Sequence, residues 1–213
     1  MKKTLPILIV DIDDTAADTV NHFVRLLNKK YSNPYGLSDI ELIEKYRIIP
    51  TMHFWQTPEI RSWLDAQAED NEAQYAIPPA TGAVEALKIL STYFRIVYIS
   101  SRPDTVLSGT SRWLKDNGFP DGALILRGHF DDTNGNAWKA KIIQEKFPET
   151  VGIIDDNPEI IPKLSRQYKG VMYLYGTRDL PENKEILIRK CSTWDEALHF
   201  ILKDNHYSDP LLP

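Results

Sequence analysis

The segment "ILIVDIDDTAAD", residues 7–18, drives an apolar run into four carboxylates: Asp11, Asp13, Asp14 and Asp18. Like charges at this spacing repel, so the cluster needs compensation. A bound cation would supply it. A reaction that uses two acids would explain the pair Asp11 and Asp13. A solvated, Asp-rich turn is the plainer alternative. Further groups bear on the choice. Ser100, Ser101 and Arg102 follow a second apolar run, Asp155 and Asp156 follow another, and Lys139 and Lys141 lie near the start of a helical pattern. Together these residue types can transfer a phosphoryl group. Asp11 can attack phosphorus as a carboxylate nucleophile. Asp13 can protonate the leaving oxygen and then activate water. Asp11, Asp13, Asp155 and Asp156 offer the hard oxygens that Mg²⁺ takes as ligands. Ser100 can hydrogen-bond a phosphoryl oxygen, and Lys139 can neutralise developing charge and orient Asp11.

For these groups to meet, the segments that carry them must end at one edge. Candidate strands lie at 7–10, 96–99, 123–126, 151–154 and 171–174, with a weaker one at 186–188. Their continuous apolar runs suit strands covered on both faces, as in a parallel sheet. Helical patterns fall between them. Val20, Phe23, Val24, Leu27 and Tyr31 share one helical face. Thr81 can cap a helix that runs to Leu90. Helices are expected over 110–117, ended by Gly118, over 138–147, and over 158–168 with Asn157 as cap and Pro158 in the first turn. Thr193 and Glu196 are spaced as a capping box for a last helix. This alternation predicts an α/β fold: a doubly wound, mainly parallel sheet of Rossmann type. In such sheets ligands bind beyond the carboxyl ends of the strands, where the strand order switches. The acids and hydroxyls fall at such ends, and the lysines near the start of a helix before strand four could converge on the same edge.

The interval 16–79 breaks the rhythm. It holds no strand pattern, a Ser38–Glu41 capping box, and Thr57 followed by Pro58 as a second helix start. It reads as a helical insertion, leaving 1–15 and 80–213 as the core. Tyr31, Tyr35, Tyr46, His53, Phe54, Trp55 and Trp63 crowd into it, and most are expected to pack a small core of its own. Phe54 and Trp55 lie in a loop just before Thr57. They are expected to face the active edge and shape a substrate slot.

"ILIVDIDDT", "IVYISSRP", "NAWKAKII" and "GIIDDNPE" resemble, in this order, the four motifs of the haloacid-dehalogenase-like (HAD) phosphohydrolases. One D-x-D-x-T is a weak signal, but four motifs in order, each at a strand end or helix start, are a strong one. The resemblance covers residues 7–159. It implies strand order 5-4-1-2-3, an aspartyl-phosphate on Asp11, and Asp13 as acid and base. It also implies Ser100 and Lys139 in the second and third motifs, and Mg²⁺ held by the fourth, with Asp156 as the main ligand. Thr15, Ser101 and Arg102 are then substrate contacts. Lys141 is the alternative to Lys139, since two residues apart on a helix point about 200° apart and one alone can reach. Ser101 is the alternative to Ser100. Arg102 either binds phosphate or pairs with an acid such as Asp104. Glu159 either orients metal-bound water or complements a helix dipole. Ala16 departs from the family, which usually carries Leu or Val there.

The insertion resembles a C1-type cap. The pattern "HFW…IPPATGAVEAL…VYISSRP" is similar to 5'(3')-deoxyribonucleotidases and related nucleotidases, which implies a nucleotide substrate with its base stacked on cap aromatics. "SSRP…T…WL…GFP" also resembles polynucleotide 3'-phosphatase domains. A sugar-phosphate phosphatase or phosphomutase would share the fold. A binding module that has lost catalysis is the other class, and the presence of Asp11, Asp13 and Asp156 argues against it.

Composition sets the outer bounds. The chain has 213 residues, 42% hydrophobic and 26% charged, as a soluble globular protein does. A net charge of -5 and a pI of about 5.6 give none of the basic footprint of a duplex nucleic-acid binder. Cys191 is the single cysteine, so no intramolecular disulfide forms. The apolar run after "MKKT" is broken by Asp11, too short for a signal peptide. No run approaches the ~18 apolar residues of a membrane span. A cytoplasmic enzyme with a small phosphomonoester as partner is expected, without membrane contact. The sequence carries no signal for an oligomeric state.

Overall fold

A computed structural model describes residues 4–129, 131, 133–176, 178–179 and 185–208. Its strands are β1 (Ile7–Val10), β2 (Arg95–Pro103), β3 (Ala123–Arg127), β4 (Thr150–Asp155), β5 (Val171–Tyr175) and β6 (Ile188–Cys191). They form one parallel sheet in the order β3-β2-β1-β4-β5-β6. The first five follow the expected order read from the other edge, and β6 extends it. The sixth strand lies later than expected, at Ile188–Cys191, with Ile186 before it.

The alternation of side chains along each strand explains the two helical layers. Leu8 and Val10 of β1, with Ile96 and Tyr98 of β2, face one apolar cluster; Ile9, Val97 and Ile99 face the other. The first cluster is covered by α5 (Ala83–Leu90), α6 (Leu107–Asp116) and α8 (Trp194–Asp204). The second is covered by α7 (Gly135–Lys146) and a 3₁₀ turn at Pro158–Lys163. The fold is thus α/β and Rossmann-like.

Several boundaries differ from the sequence expectation for local reasons. The helix expected over 158–168 is only the 3₁₀ turn, which holds Pro162 inside it; proline removes a backbone donor. Gly82, with φ of 80°, stands at the start of α5, and Thr81 makes no cap. Asn134 caps α7 by accepting from the backbone N–H of Asn136 and Ala137, so that helix begins before Trp138. At α8 Thr193 accepts from the N–H of Glu196, while the Glu196 carboxylate reaches the N–H of Ser192.

The stretch between β1 and α5 is helical: α1 (Thr19–Tyr31), α2 (Asp39–Tyr46), α3 (Pro58–Ala68) and α4 (Asn71–Tyr75). The Ser38–Glu41 capping box forms, and Thr57 caps α3. Asp70 breaks the run after α3 by capping α4. Val24, Leu27, Leu42, Met52, Trp55 and Ile60 make a separate apolar cluster here. The far end of the insertion is tied to the core. Asn71 Oδ1 accepts from the N–H of Gly109 at 2.6 Å and Glu72 pairs with Arg112 at 2.7 Å. A Cβ at Gly109 would collide with the Asn71 backbone. Among the described residues, no helix is long and apolar enough to cross a membrane.

Candidate active site

The site grows from the end of β1. The Asp11 N–H still bonds to the Ile154 carbonyl at 2.9 Å, so Asp11 leaves the sheet beside β4. The chain then turns sharply. Asp14 takes a left-handed φ of 55°, a conformation Asp tolerates better than most residues. Its carboxylate accepts from the Val20 N–H at 2.7 Å and so secures the first turn of α1. Thr15 Oγ1 accepts from the Asp156 N–H at 3.0 Å, which ties the loop after β1 to the loop after β4. Trp194 Nε1 donates to the Thr15 carbonyl at 3.0 Å and holds the loop from below.

Asp11, Asp155 and Asp156 are buried together, each offering an oxygen within 4.8 Å of the others. Lys139 reaches them from α7. Its Nζ lies 2.7 Å from Asp11 Oδ1 and 2.9 Å from Asp155 Oδ2. Lys141 is exposed, beside Gln144 and Lys163. Arg178, beyond β5, lies 3.0 Å from Asp156 Oδ2. The sequence reading did not single out this arginine, although it follows a strand's carboxyl end as the other site residues do.

Asp13 turns away from the three acids. Its Oδ1 is 2.8 Å from Arg102 Nη2 and accepts from Thr19 Oγ1 at 2.8 Å, and its Oδ2 accepts from Ser100 Oγ at 3.1 Å. The structure therefore puts the Asp13 carboxylate in an arginine pair and outside the acid cluster that could hold a metal. Arg102 is paired with Asp13, not with Asp104. The two serines have separate places. Ser100 is fully buried behind Asp13, whereas Ser101 lines the cleft with Asp11, Lys139 and Asp156. Gly135 leaves room for that hydroxyl, since a Cβ there would lie 2.6 Å from Ser101 Oγ.

The proton affinities follow from burial and charge. Burial raises Asp11, with Lys139 opposing and the neighbouring carboxylates adding to the rise. Burial, then Asp155, pushes Asp156 up to about 8. Burial takes Asp14 to about 6 despite its bond from Val20. At Asp13 burial also works upward, but the Arg102 charge and the bonds from Arg102 and Thr19 outweigh it and hold the carboxyl below its usual range. Burial disfavours the Lys139 charge, yet Asp11 and Asp155 outweigh it and keep the amine protonated.

Five carboxylates, Asp11, Asp13, Asp14, Asp155 and Asp156, thus face three cations, Lys139, Arg102 and Arg178. The carboxylate oxygens of Asp11, Asp155 and Asp156 suit a hard cation, which would take the place of the protons that burial favours on Asp11 and Asp156. The residues present fit such a metal.

The acid cleft encloses about 280 Å³. It shares Asp14, Asp156 and Arg178 with a neighbouring cavity of about 350 Å³, also lined by Asn21, Ile43, Arg47 and Tyr175. Phe54 and Trp55 line neither. Trp55 is 1% exposed and its Nε1 donates to the Ser32 carbonyl at 2.8 Å. Phe54 packs edge-on against Tyr35, Tyr46 and Trp55. The expectation that this pair faces substrate is corrected. A helical insertion this small spends both rings on its own core.

Comparison with known proteins agrees with this architecture. A family model described as "PITM 1-3, LNS2 domain" matches residues 64–154, a stretch that begins after Asp13 and stops before Asp155. A Bacillus cereus protein named "Putative nucleotidase" is 32% identical over 195 residues, 91% of this chain and 97% of that one. A second protein so named, from Oceanobacillus iheyensis, is 26% identical over 157 residues, 73% of this chain and 79% of that one. Among solved structures, a haloacid dehalogenase-like hydrolase from Streptococcus pneumoniae superposes with a TM-score of 0.58 at 13% identity, over 92% of this chain and 98% of that one. A HAD-superfamily hydrolase from Ehrlichia chaffeensis gives a TM-score of 0.53 at 18% identity, over 96% of this chain and all (100%) of that one. The near-full-length kinship, the strand order and the acids at its switch point agree: the chain belongs to the haloacid-dehalogenase-like superfamily of hydrolases.

Proposed function

We propose that the protein is a Mg²⁺-dependent phosphomonoesterase of the cytoplasm that acts on a nucleotide through an aspartyl-phosphate on Asp11. The observation that carries this reading is the setting of Asp11. Its buried carboxylate lies 2.7 Å from Lys139 Nζ and within a shared cluster with Asp155 and Asp156.

In the first half-reaction an Asp11 oxygen bonds to phosphorus and the bond from phosphorus to the leaving oxygen breaks. The leaving oxygen takes a proton from Asp13. In the second half Asp13 takes a proton from water, the water oxygen bonds to phosphorus, and the bond to Asp11 breaks to release phosphate. Lys139 orients Asp11 and neutralises charge on the phosphoryl oxygens, and Ser101 donates to one of them. Asp11, Asp155 and Asp156 would hold a divalent ion, which would supply positive charge to the phosphoryl group and relieve its repulsion by the carboxylates. Asp13 is ionised in its pair with Arg102. It is ready as a base, and it serves as an acid after taking a proton from the arriving phosphomonoester monoanion, which it then passes to the leaving oxygen. The nucleotide part of the reading rests on the names of the two relatives and on the second cavity beside the acids.

Steady-state hydrolysis with Mg²⁺ over nucleoside monophosphates, sugar phosphates and 3'-phosphorylated oligonucleotides tests it. Asp11→Asn should fold and lose at least ~10³-fold in kcat. The wild type, not the variant, should form an adduct with a phosphate-mimicking fluoride. Substantial turnover by Asp11→Asn would end the mechanism. A preference for sugar phosphates or oligonucleotide ends would end the nucleotide assignment alone.

A further inference from the structure

The cavity next to the acids adjoins the acid cleft through Asp14, Asp156 and Arg178, so a group joined to a phosphoryl in the cleft can extend into it. Its lining holds one aromatic side chain among the described residues, Tyr175. How the chain places that ring can be followed from β5. Tyr173 and Tyr175 point to the same face of the strand. Tyr173 is fully buried under α8. Tyr175 is the last residue of β5, and it is only partly buried. Directly after it Gly176 takes φ of 88°, a left-handed turn suited to glycine, and its N–H bonds to the Cys191 carbonyl at 2.8 Å. The backbone therefore leaves the sheet at once and leaves the ring at the cavity.

The ring is also braced. Trp194 packs against it with centroids 5.6 Å apart and planes tilted by 38°. Trp194 is 1% exposed and is itself bonded to the Thr15 carbonyl in the catalytic loop. A ring held this way is preorganised, so stacking on it costs little ordering. The rest of the lining is mostly polar, with Asp18, Asn21, Arg47, Thr81 and Ser192 around apolar contacts from Ala17, Val20 and Ile43. A fixed aromatic wall among hydrogen-bonding groups suits a flat, polar heterocycle.

We propose that Tyr175 is the specificity-determining wall on which the base of the departing nucleoside stacks. This rests on the phosphatase reading above and assigns the stacking to the core, not to the insertion. The test measures kcat/KM with Mg²⁺ for nucleoside 5'-monophosphates and for glycerol phosphate, in the wild type and in Tyr175→Phe, Tyr175→Leu and Tyr175→Ala. Loss of a stacking face should reduce kcat/KM for nucleotides by roughly ten- to a hundredfold, mainly through KM. Tyr175→Leu and Tyr175→Ala should show it, and Tyr175→Phe should restore most of it. Glycerol phosphate has no ring, and its turnover should fall far less. Equal losses on both substrates, or a nucleotide preference that survives Tyr175→Ala, overturn the wall alone. If Tyr175→Ala does not fold, equal behaviour of the Phe and Leu variants overturns it. A wild type that hydrolyses glycerol phosphate as well as nucleotides overturns the nucleotide reading and the wall together.

Discussion

Arg102 clasps Asp13 with Nε and Nη2, at 2.8 to 3.1 Å from the two carboxylate oxygens. Arg102 itself is 5% exposed, so the pair is anchored in the core while Asp13 reaches the cleft. The second acid of the D-x-D motif is therefore held ionised by the residue that ends "SSR".

Arg102→Met should destabilise the protein by about 1–3 kcal/mol, because Asp13 loses its charged donors. The Asp13 carboxyl is depressed in the folded state. Its contribution is present above the unfolded value, near 3.9, and fades as the pH falls through the lower folded value. Urea titrations should show the gap between wild type and variant narrowing below about pH 4. A gap that does not change with pH would mean that Arg102 acts through packing.

Lys139→Met should cost about 3–5 kcal/mol, since Asp11 and Asp155 would stay buried without their shared cation. Mg²⁺ should recover part of that loss by binding the folded state alone. Lys141→Ala should change stability by no more than about 0.5 kcal/mol and leave turnover intact, as an exposed side chain does. Thermal melts with and without Mg²⁺, paired with kinetics, compare the two. The reverse ranking would reassign the third motif.

Burial raises Asp11, Asp14 and Asp156, the last to about 8. In the folded, metal-free protein these groups keep protons that the unfolded chain has released above about pH 4. Stability without metal should therefore fall as the pH rises from about 4 to 8. Mg²⁺ takes the place of the protons, so the slope should flatten when it saturates the site. Melting temperatures in chelator and in Mg²⁺ across this range check the sign. Asp156→Ala should raise the Mg²⁺ needed for half-maximal activity by at least ~10-fold, and Asp155→Ala by less.

Trp55→Phe should lower stability by about 1–3 kcal/mol, through the lost bond to Ser32 and the space left behind. The ratio of kcat/KM for a nucleotide over glycerol phosphate should not move. A changed ratio would show that the insertion's aromatic rings reach substrate after all.

The sheet was legible because β1, β4 and β5 are apolar on both faces. The last residues of β2 were not. Ser100 to Pro103 read as loop by residue type, yet Ser100 pairs with Leu126 and Pro103 with Arg127. The four motifs brought Asp11, Lys139, Asp155 and Asp156 to one place. Which lysine reaches depends on the phase of α7, and that is set by the Asn134 cap, well before either lysine. Arg178 follows the end of β5, but no motif covers it and its partner Asp156 lies on another strand's end. Trp55 sits in a 3₁₀ turn, His53–Trp55. An irregular turn has no repeat from which a side chain's direction can be read, and there the tertiary packing decided.

The place of β1 at the middle of the sheet has a consequence for how the chain is made. Its partners begin at Arg95 on one side and Thr150 on the other. At a synthesis rate of about 5–20 residues per second, roughly 4–17 s separate Val10 from Arg95 on the ribosome, and longer from Thr150. During that interval an apolar strand and the aspartates behind it have left the ribosome with nothing to pair with. The slower the message is translated, the longer β1 waits for the strands that cover it on either side.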